Sequence, residues 1–383
     1  MDGRSPLESE IRRRIAVAGP MPVAEYMALC LFDHGHGYYT TRDPFGARGD
    51  FITAPEVSQM FGELLGLWTA QVWKQMGGPK SLNLIELGPG RGTMMVDALR
   101  AVRVAPALHQ TAQVHLVEIN PTLRDKQKAA LADSKVAINW HNSLDDVPDG
   151  PAIVLANEYF DALPVHQAVK QTSGWHERTV EIDEDGRFAY GAAPEPIPRF
   201  DMLMPAVARL APPGAVFEWR AHDEIIRLAR RLKKFGGAAL IVDYGHIRSD
   251  AGDTLQAIAN HSFADPLKAP GTVDLTAHVD FEALGRGAED GGARLHGPTE
   301  QGTFLQRLGI ATRAQMLKKK ASEKAVENID RALERLTGGG REGMGSLFKV
   351  LGVSHPAIKE LPGLSDASAR TAPPPPPPAE QAS

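Results

Sequence analysis

Residues 81–93 read SLNLIELGPGRGT, and this stretch decides the fold. Residues 82–87 form a short apolar run of strand length, and residues 93–102 carry the apolar spacing of a helix. Between them Gly88, Gly90 and Gly92 permit a tight turn and let a ligand approach the backbone closely. The alternation continues outward. Residues 114–117, 137–140, 152–156 and 238–242 read as further buried strands, and residues 121–133 as a helix with Pro121 in its favoured first turn. Strands alternating with helices predict an α/β fold, a parallel sheet with helices on both faces.

The chemistry starts at the same turn. Glu118 stands near the end of the second strand, where a carboxylate accepts both ribose hydroxyls of a nucleoside. Two nucleoside cofactors compete for that layout. Dinucleotide enzymes favour G-x-G-x-x-G with a pyrophosphate on the helix N-terminus. Here the spacing is G-x-G-x-G, and Glu86 precedes it. An acid at that place repels a pyrophosphate and suits a cationic, phosphate-free ligand, which points to S-adenosylmethionine. After the third strand, Asp145 or Asp146 is placed to accept from the adenine amine, unless it is a solvated turn acid. The fourth strand runs into Asn157-Glu158-Tyr159-Phe160-Asp161-Ala162-Leu163-Pro164. Ligands of open parallel sheets bind beyond the carboxyl ends of the strands, so this segment should face the transferred methyl group. Its bland alternative is a capped turn with aromatics in the core. Asn157, Glu158 and Asp161 are the catalytic candidates, with Asp243 or Glu56 as helpers. His246, after the fifth strand, is a general-base candidate, although a lone histidine in such a place is more often a satisfied one.

Around this core the chain divides into five parts. Residues 1–80 form an N-terminal helical and lid region, with helical spacing over 6–32, turn signals at Asp43-Pro44-Phe45-Gly46 and one long amphipathic helix over 56–76. Thr53 can cap that helix with Glu56 at its favourable end, or Gly49 to Gln59 can fold over the cofactor. Residues 81–164 are the first part of the cofactor-binding core. Residues 165–236 are an inserted α+β region, with antiparallel strands and a hairpin turn at Asp185-Gly186. Residues 237–355 are the second part of the core: loop-rich over 245–276, helical over 281–289, 300–308 and 312–336, with short strands at 294–296 and 345–352. Residues 356–383 read as a disordered tail, because the six prolines Pro373 to Pro378 adopt polyproline II and cannot join a core.

Composition sets the outer bounds. The 383 residues include 43% hydrophobic and 23% charged residues, ordinary soluble usage that excludes a wholly disordered chain. A net charge of −5 without a basic block argues against a nucleic-acid partner. Cys30 is the only cysteine, so neither an internal disulfide nor a cysteine-based zinc site can form, and no metal is read. No apolar run is long enough to span a membrane. The polar N-terminus and the lack of an Arg-rich, acid-poor leader predict the cytoplasm.

These segments resemble the MidA family of class I S-adenosylmethionine-dependent methyltransferases. The resemblance rests on Gly37-Tyr38-Tyr39, on Gly49 to Glu63, on Glu86 to Gly92, on Glu118 to Pro121, on Asn157 to Pro164 and on Val242 to Gly245, with further matches at Gln301 to Gly309 and Met344 to Leu351. It implies a Rossmann-like methyltransferase sheet, with Gly88, Gly90 and Glu118 on the cofactor and the loop from Asn157 to Asp161 bordering the acceptor. It also implies a protein arginine methyltransferase acting on a protein such as a respiratory complex I subunit, since mitochondrial members of the family assist complex I assembly. Arginine methyltransferases of the common type carry two glutamates in the acceptor loop. This chain has Glu158 with Asp161 nearby. A small-molecule methyltransferase and a non-catalytic, cofactor-binding assembly chaperone are the rival readings.

Overall fold

The computed structural model describes residues 4–41, 53–259, 262–340 and 343–365. The lid segment Gly49 to Ile52, the turn at Asp43 to Gly46 and the proline run lie outside these residues. Before the central sheet stand helices α1 (Pro6–Ala18), α2 (Val23–Phe32) and α3 (Gln59–Gln75). The sheet begins with β1 (Leu82–Leu87), every residue of which is buried. A strand buried on both faces needs apolar side chains at consecutive positions, and that is why it lacks the usual alternation. Then come α4 (Thr93–Val102), β2 (Ala112–Val117), α5 (Pro121–Ala130), β3 (Ile138–His141), β4 (Ala152–Asn157), α6 (Asp223–Phe235) and β5 (Gly237–His246). The chain continues through α7 (Phe281–Asp290), β6 (Arg294–Glu300), α8 (Gln301–Arg307), α9 (Ile310–Lys318), α10 (Glu323–Thr337) and β7 (Phe348–Ser354).

The strands lie in the order β6-β7-β5-β4-β1-β2-β3. From β5 to β3 all neighbours are parallel, while β7 is antiparallel to β5 and to β6. The strand expected over 345–352 to close the sheet is Phe348–Ser354 and lies inside it, between β5 and β6, so β6 forms that edge. Two apolar layers cover the sheet. One joins Leu84, Leu116, Leu155 and Leu240 to α3 and α4, and the other joins Ile85, Val154, Ala239 and Ile241 to α6 and α7. Each fully buried aliphatic side chain contributes about 1.5–3 kcal/mol. Order reverses between β1 and β4, so the crevice at their carboxyl ends is the switch point where α/β sheets bind ligands.

Four expectations change. The helix over 56–76 is broken: residues Ala54–Val57 form one turn, Ser58 is extended, and its Oγ accepts from the Met60 N–H to start α3. The helix over 312–336 is two helices, because Ser322 caps α10 by accepting from the Ala325 N–H. The loop-rich stretch 245–276 contains a small antiparallel sheet of Gln256–Ala259, Ser262–Ala264 and Asp274–Thr276. The tail starts later than 356, since Leu361 is buried and the Trp68 indole N–H donates to the Pro362 carbonyl at 3.2 Å.

The inserted region forms its own sheet, in which Gly174–Ile182 pairs with His166–Gln171 and Phe188–Pro196, and His166–Gln171 with Val216–Trp219. The two-residue strand Met21–Pro22 adds to it, pairing with Val180 and Thr179. Helices α1 and α2 share one apolar cluster with Val165, Val180 and Leu275. The N-terminal helices thus pack on the insertion and carry the following segment, with Tyr39, over the sheet's ligand edge.

Candidate functional site

At the end of β1 the backbone turns through three left-handed glycines, Gly88 (φ 62°), Gly90 (φ 53°) and Gly92 (φ 82°). A side chain there would be strained in its backbone, and at Gly88 a Cβ would also press on the Tyr159 ring at 3.2 Å. A cavity of about 180 Å³ opens beside this turn, lined among others by Gly88, Gly90, Glu118, Asn142, Glu158, Tyr159, Asp161 and Asp274. A smaller pocket of about 40 Å³ shares Gly88, Gly90, Thr53 and Glu158 with it and adds Glu86 and Asn157.

Glu118 is fixed from two sides. Its Oε1 accepts from the Asn120 N–H at 2.8 Å, and its Oε2 from Gln127 Nε2 at 3.3 Å. Gln127 also donates to the Gly90 carbonyl at 2.7 Å and accepts from the Trp140 indole at 2.8 Å, so one side chain ties the glycine turn to the second and third strands. Burial pushes the Glu118 carboxyl up to about 7, against the hydrogen bonds that favour its charge. Asn120 caps α5 through Oδ1, and its Nδ2 donates to the Tyr39 carbonyl at 2.9 Å. That bond draws Tyr39 over the cavity.

Glu86 is 2% exposed, and Asn157 is 8% exposed. Glu86 Oε2 and Asn157 Oδ1 have no hydrogen-bond partner among the described residues. Burial, and then the neighbouring Glu118 charge, hold the Glu86 carboxyl well above its ordinary range. Two buried acceptors without donors beside a glycine turn fit a ligand that brings an ammonium group. A carboxylate at Glu118, at the end of β2, would accept from ribose hydroxyls, and the whole set would then fit S-adenosylmethionine. Glu86 and Asn157 would hold its amino acid end, and Glu118 its nucleoside.

The acceptor side is built from the loop after β4. Glu158 has a left-handed backbone (φ 50°), a conformation that costs a non-glycine residue on the order of 1 kcal/mol or more and is kept where surroundings impose it. Its Oε1 accepts from Asn157 Nδ2 at 3.1 Å and from the Ala54 N–H at 3.3 Å. Burial, then the charge of Asp161, raise its carboxyl to about 8. Asp161 is raised by burial too, with Tyr244 and Arg220 favouring its charged form. Asp243 is fully buried and accepts from the Phe160, Asp161 and Tyr244 N–H groups at 3.0, 3.1 and 2.9 Å. It braces the loop through these main-chain bonds. Arg220 completes the brace, donating to the carbonyls of Leu163, Asp161, Ala277 and His278 at 2.7–3.1 Å.

The cavities thus bring together Glu86, Gly88, Gly90, Glu118, Asn157, Glu158 and Asp161. Gly92 starts α4 and lies against Gln127 instead. Asp145 is corrected. It is 67% exposed, lies 3.8 Å from Arg227 and does not line the cavity, which Asn142 reaches. Its neighbour Asp146 is consumed by the Asn142 and Ser143 N–H groups. His246 lines a different cavity, on the Trp219 side of the acceptor loop, 4.0 Å from Asp280. Glu56 accepts from the Thr93 hydroxyl at 2.6 Å. Thr53 makes no capping bond and lines both ligand pockets. Sequence reasoning missed Arg220, Gln127 and Asp274. A lone Arg in the stretch Glu218-Trp219-Arg220 was the one available signal for a buried brace. Among the described residues no group of three or more His, Cys, Asp or Glu side chains is arranged to hold a metal, and no helix is long and apolar enough to cross a membrane.

Comparison with known proteins places the chain in a family. The family model Methyltransf_28, described as S-adenosyl-L-methionine-dependent methyltransferase, matches residues 64–299, more than half of the chain. A Drosophila melanogaster relative named protein arginine methyltransferase NDUFAF7 homolog, mitochondrial, is 37% identical over 379 residues, 91% of this chain and 85% of its own length. A Homo sapiens relative, protein arginine methyltransferase NDUFAF7, mitochondrial, is 38% identical over 356 residues, 84% of this chain and 77% of its own. A solved Burkholderia thailandensis structure, described as a methyl transferase with S-adenosyl-homocysteine bound, superposes with a TM-score of 0.79 at 29% identity and covers 93% of each chain. The mitochondrial names of the relatives overturn the cytoplasmic expectation, which rested on a leader sought only in composition. This chain is an S-adenosylmethionine-dependent methyltransferase and belongs to the MidA family.

Proposed function

We propose that the acceptor is an arginine side chain of a protein, such as a respiratory complex I subunit. The carrying observation is the pair Glu158 and Asp161, two carboxylates on one braced loop that line the cavity of the glycine turn. The relatives' names, protein arginine methyltransferases, support the same reading.

S-adenosylmethionine supplies, when bound, a methyl group activated on a sulfonium. The chain's own residues then need to place a nitrogen and dispose of a proton. A guanidinium has a pKa above roughly 12, so it arrives charged. Carboxylates fork to its N–H groups and fix one nitrogen toward the methyl. That nitrogen gains the methyl and gives up one proton. Glu158, with its carboxyl at about 8, is the group suited to hold it near neutral pH. Asp243 and Arg220 keep Glu158 and Asp161 from swinging away, because they hold the loop by its main chain.

The test is radiolabelled methyl donor with a mitochondrial extract, followed by acid hydrolysis. Label recovered in methylated arginine is the expected result. Label confined to small solutes, or to another amino acid, overturns the reading.

A further inference from the structure

Asp274 belongs to none of the segments that marked the site in the sequence, yet it lines the same cavity as Glu158 and Asp161. It is 3% exposed and starts the short strand Asp274–Thr276. Two contacts fix that strand against the acceptor loop. The Ala277 N–H donates to the Asp161 carbonyl at 3.2 Å, and Arg220 bridges the Ala277 and His278 carbonyls to those of Asp161 and Leu163. The Tyr39 hydroxyl donates to Asp274 Oδ2 at 2.9 Å. Asp161 and Asp274 both bear on the Tyr39 and Tyr244 hydroxyls, whose ionisation they suppress after burial.

We propose that Asp274 is a specificity-determining residue of the acceptor pocket. With Glu158 and Asp161 it forms a three-carboxylate wall that selects a cationic nitrogen, and Tyr39 sets its orientation. The inference rests on the arginine reading for the identity of that cation. Three carboxyl groups line one small cavity, and a planar cation with five donors can be met by all three at once. A neutral acceptor of the same shape forms no charge-assisted hydrogen bonds to these carboxylates, so the wall discriminates by charge. Tyr39 reaches from the Asn120 amide at the nucleoside end to Asp274 at the acceptor end. One residue therefore joins the two halves of the site.

The test is calorimetric titration of the full chain, saturated with S-adenosylhomocysteine, with three acetylated and amidated tripeptides: Gly-Arg-Gly, Gly-citrulline-Gly and Gly-Lys-Gly. Citrulline keeps the shape of arginine without its charge. The wild-type protein is expected to prefer arginine over citrulline by roughly tenfold or more, and Asp274→Asn to lose most of that preference, the scale of one charge-assisted contact. S-adenosylhomocysteine affinity should stay within about twofold, since Asp274 is placed at the acceptor end. Wild-type preference kept in Asp274→Asn overturns the proposal, and so does parallel loss of S-adenosylhomocysteine binding. If Asp274→Asn fails to fold, Tyr39→Phe removes only the orienting hydroxyl and must still lower the preference. An unchanged preference there overturns it as well. A wild-type preference for lysine over arginine that Asp274→Asn abolishes keeps the wall and refutes the arginine reading alone. No preference for either cation over citrulline refutes the wall.

Discussion

Glu118 and Glu158 titrate near neutral pH because burial penalises their charge, and each has a use for the shift. Glu118 holds its proton to about 7 in the folded protein against 4.5 in an unfolded chain. Between those values the folded state binds more protons, so its stability falls as pH rises through that window. Thermal unfolding of the ligand-free protein should show a lower Tm at pH 7.5 than at pH 5.5, and a Tm rising over that interval contradicts the shift. If Glu118 is the ribose ligand, the hydroxyls bind its ionised form, and S-adenosylmethionine affinity should strengthen from pH 6 to pH 8 with release of a proton. Titration in two buffers of different ionisation enthalpy reads that proton directly, and a flat profile speaks against Glu118 as the ribose ligand. At this scale the sequence reading put Glu86, Gly88, Gly90, Glu118 and Glu158 at or just beyond the carboxyl ends of strands, and the two pockets are lined by these residues. Asp274 and Arg220 were not. They reach the site only through tertiary contacts between segments far apart in sequence. In the one-turn helix after β3, Asp146 is used for local capping, while Asp145 stays exposed beside Arg227 and Asn142 reaches the cavity.

Helices α3 and α4 meet through glycines. A Cβ on Gly66 would lie 2.3 Å from the Ala98 carbonyl oxygen, and one on Gly62 would lie 2.7 Å from the Asp97 Cβ. The close approach also lets Glu63 reach Arg100 and, across from α9, Arg313 at 2.7 Å. Gly66→Ala should therefore cost about 1–3 kcal/mol through overpacking, despite alanine's better helix propensity. Urea unfolding checks it, and an unchanged or raised midpoint would show that the helices simply move apart. Such contacts explain which element boundaries were readable. The glycine-flanked α4 was placed to the residue, since its start is a turn that only glycines make. The breaks at Ser58 and before Ser322 were missed because apolar spacing runs through both, and only the serine caps mark them. The small sheet around Asp274–Thr276 was missed because strands of three or four residues carry too little periodicity to stand out.

Across the whole molecule, the site is closed by parts that the sheet alone would not supply. The sheet contributes the glycine turn, Glu118 and the acceptor loop. The insertion contributes Arg220, and the N-terminal segment contributes Tyr39, which α1 and α2 hold through their shared core with the insertion. Ligand that binds only this assembled state stabilises all of it, by about 2.7 kcal/mol at a hundredfold excess over Kd. Differential scanning calorimetry should show one transition that S-adenosylmethionine raises as a unit. A separate transition indifferent to ligand would mean that the insertion and N-terminal helices do not share in the site. The central claim is that the braced Glu158 loop directs the acceptor nitrogen and holds its proton. Methyl transfer to arginine by Glu158→Gln, measured beside its S-adenosylmethionine affinity, tests it most directly. Transfer is expected to fall by about a hundredfold or more, the scale of a lost general base, with affinity little changed. Turnover near that of the wild-type protein would contradict it.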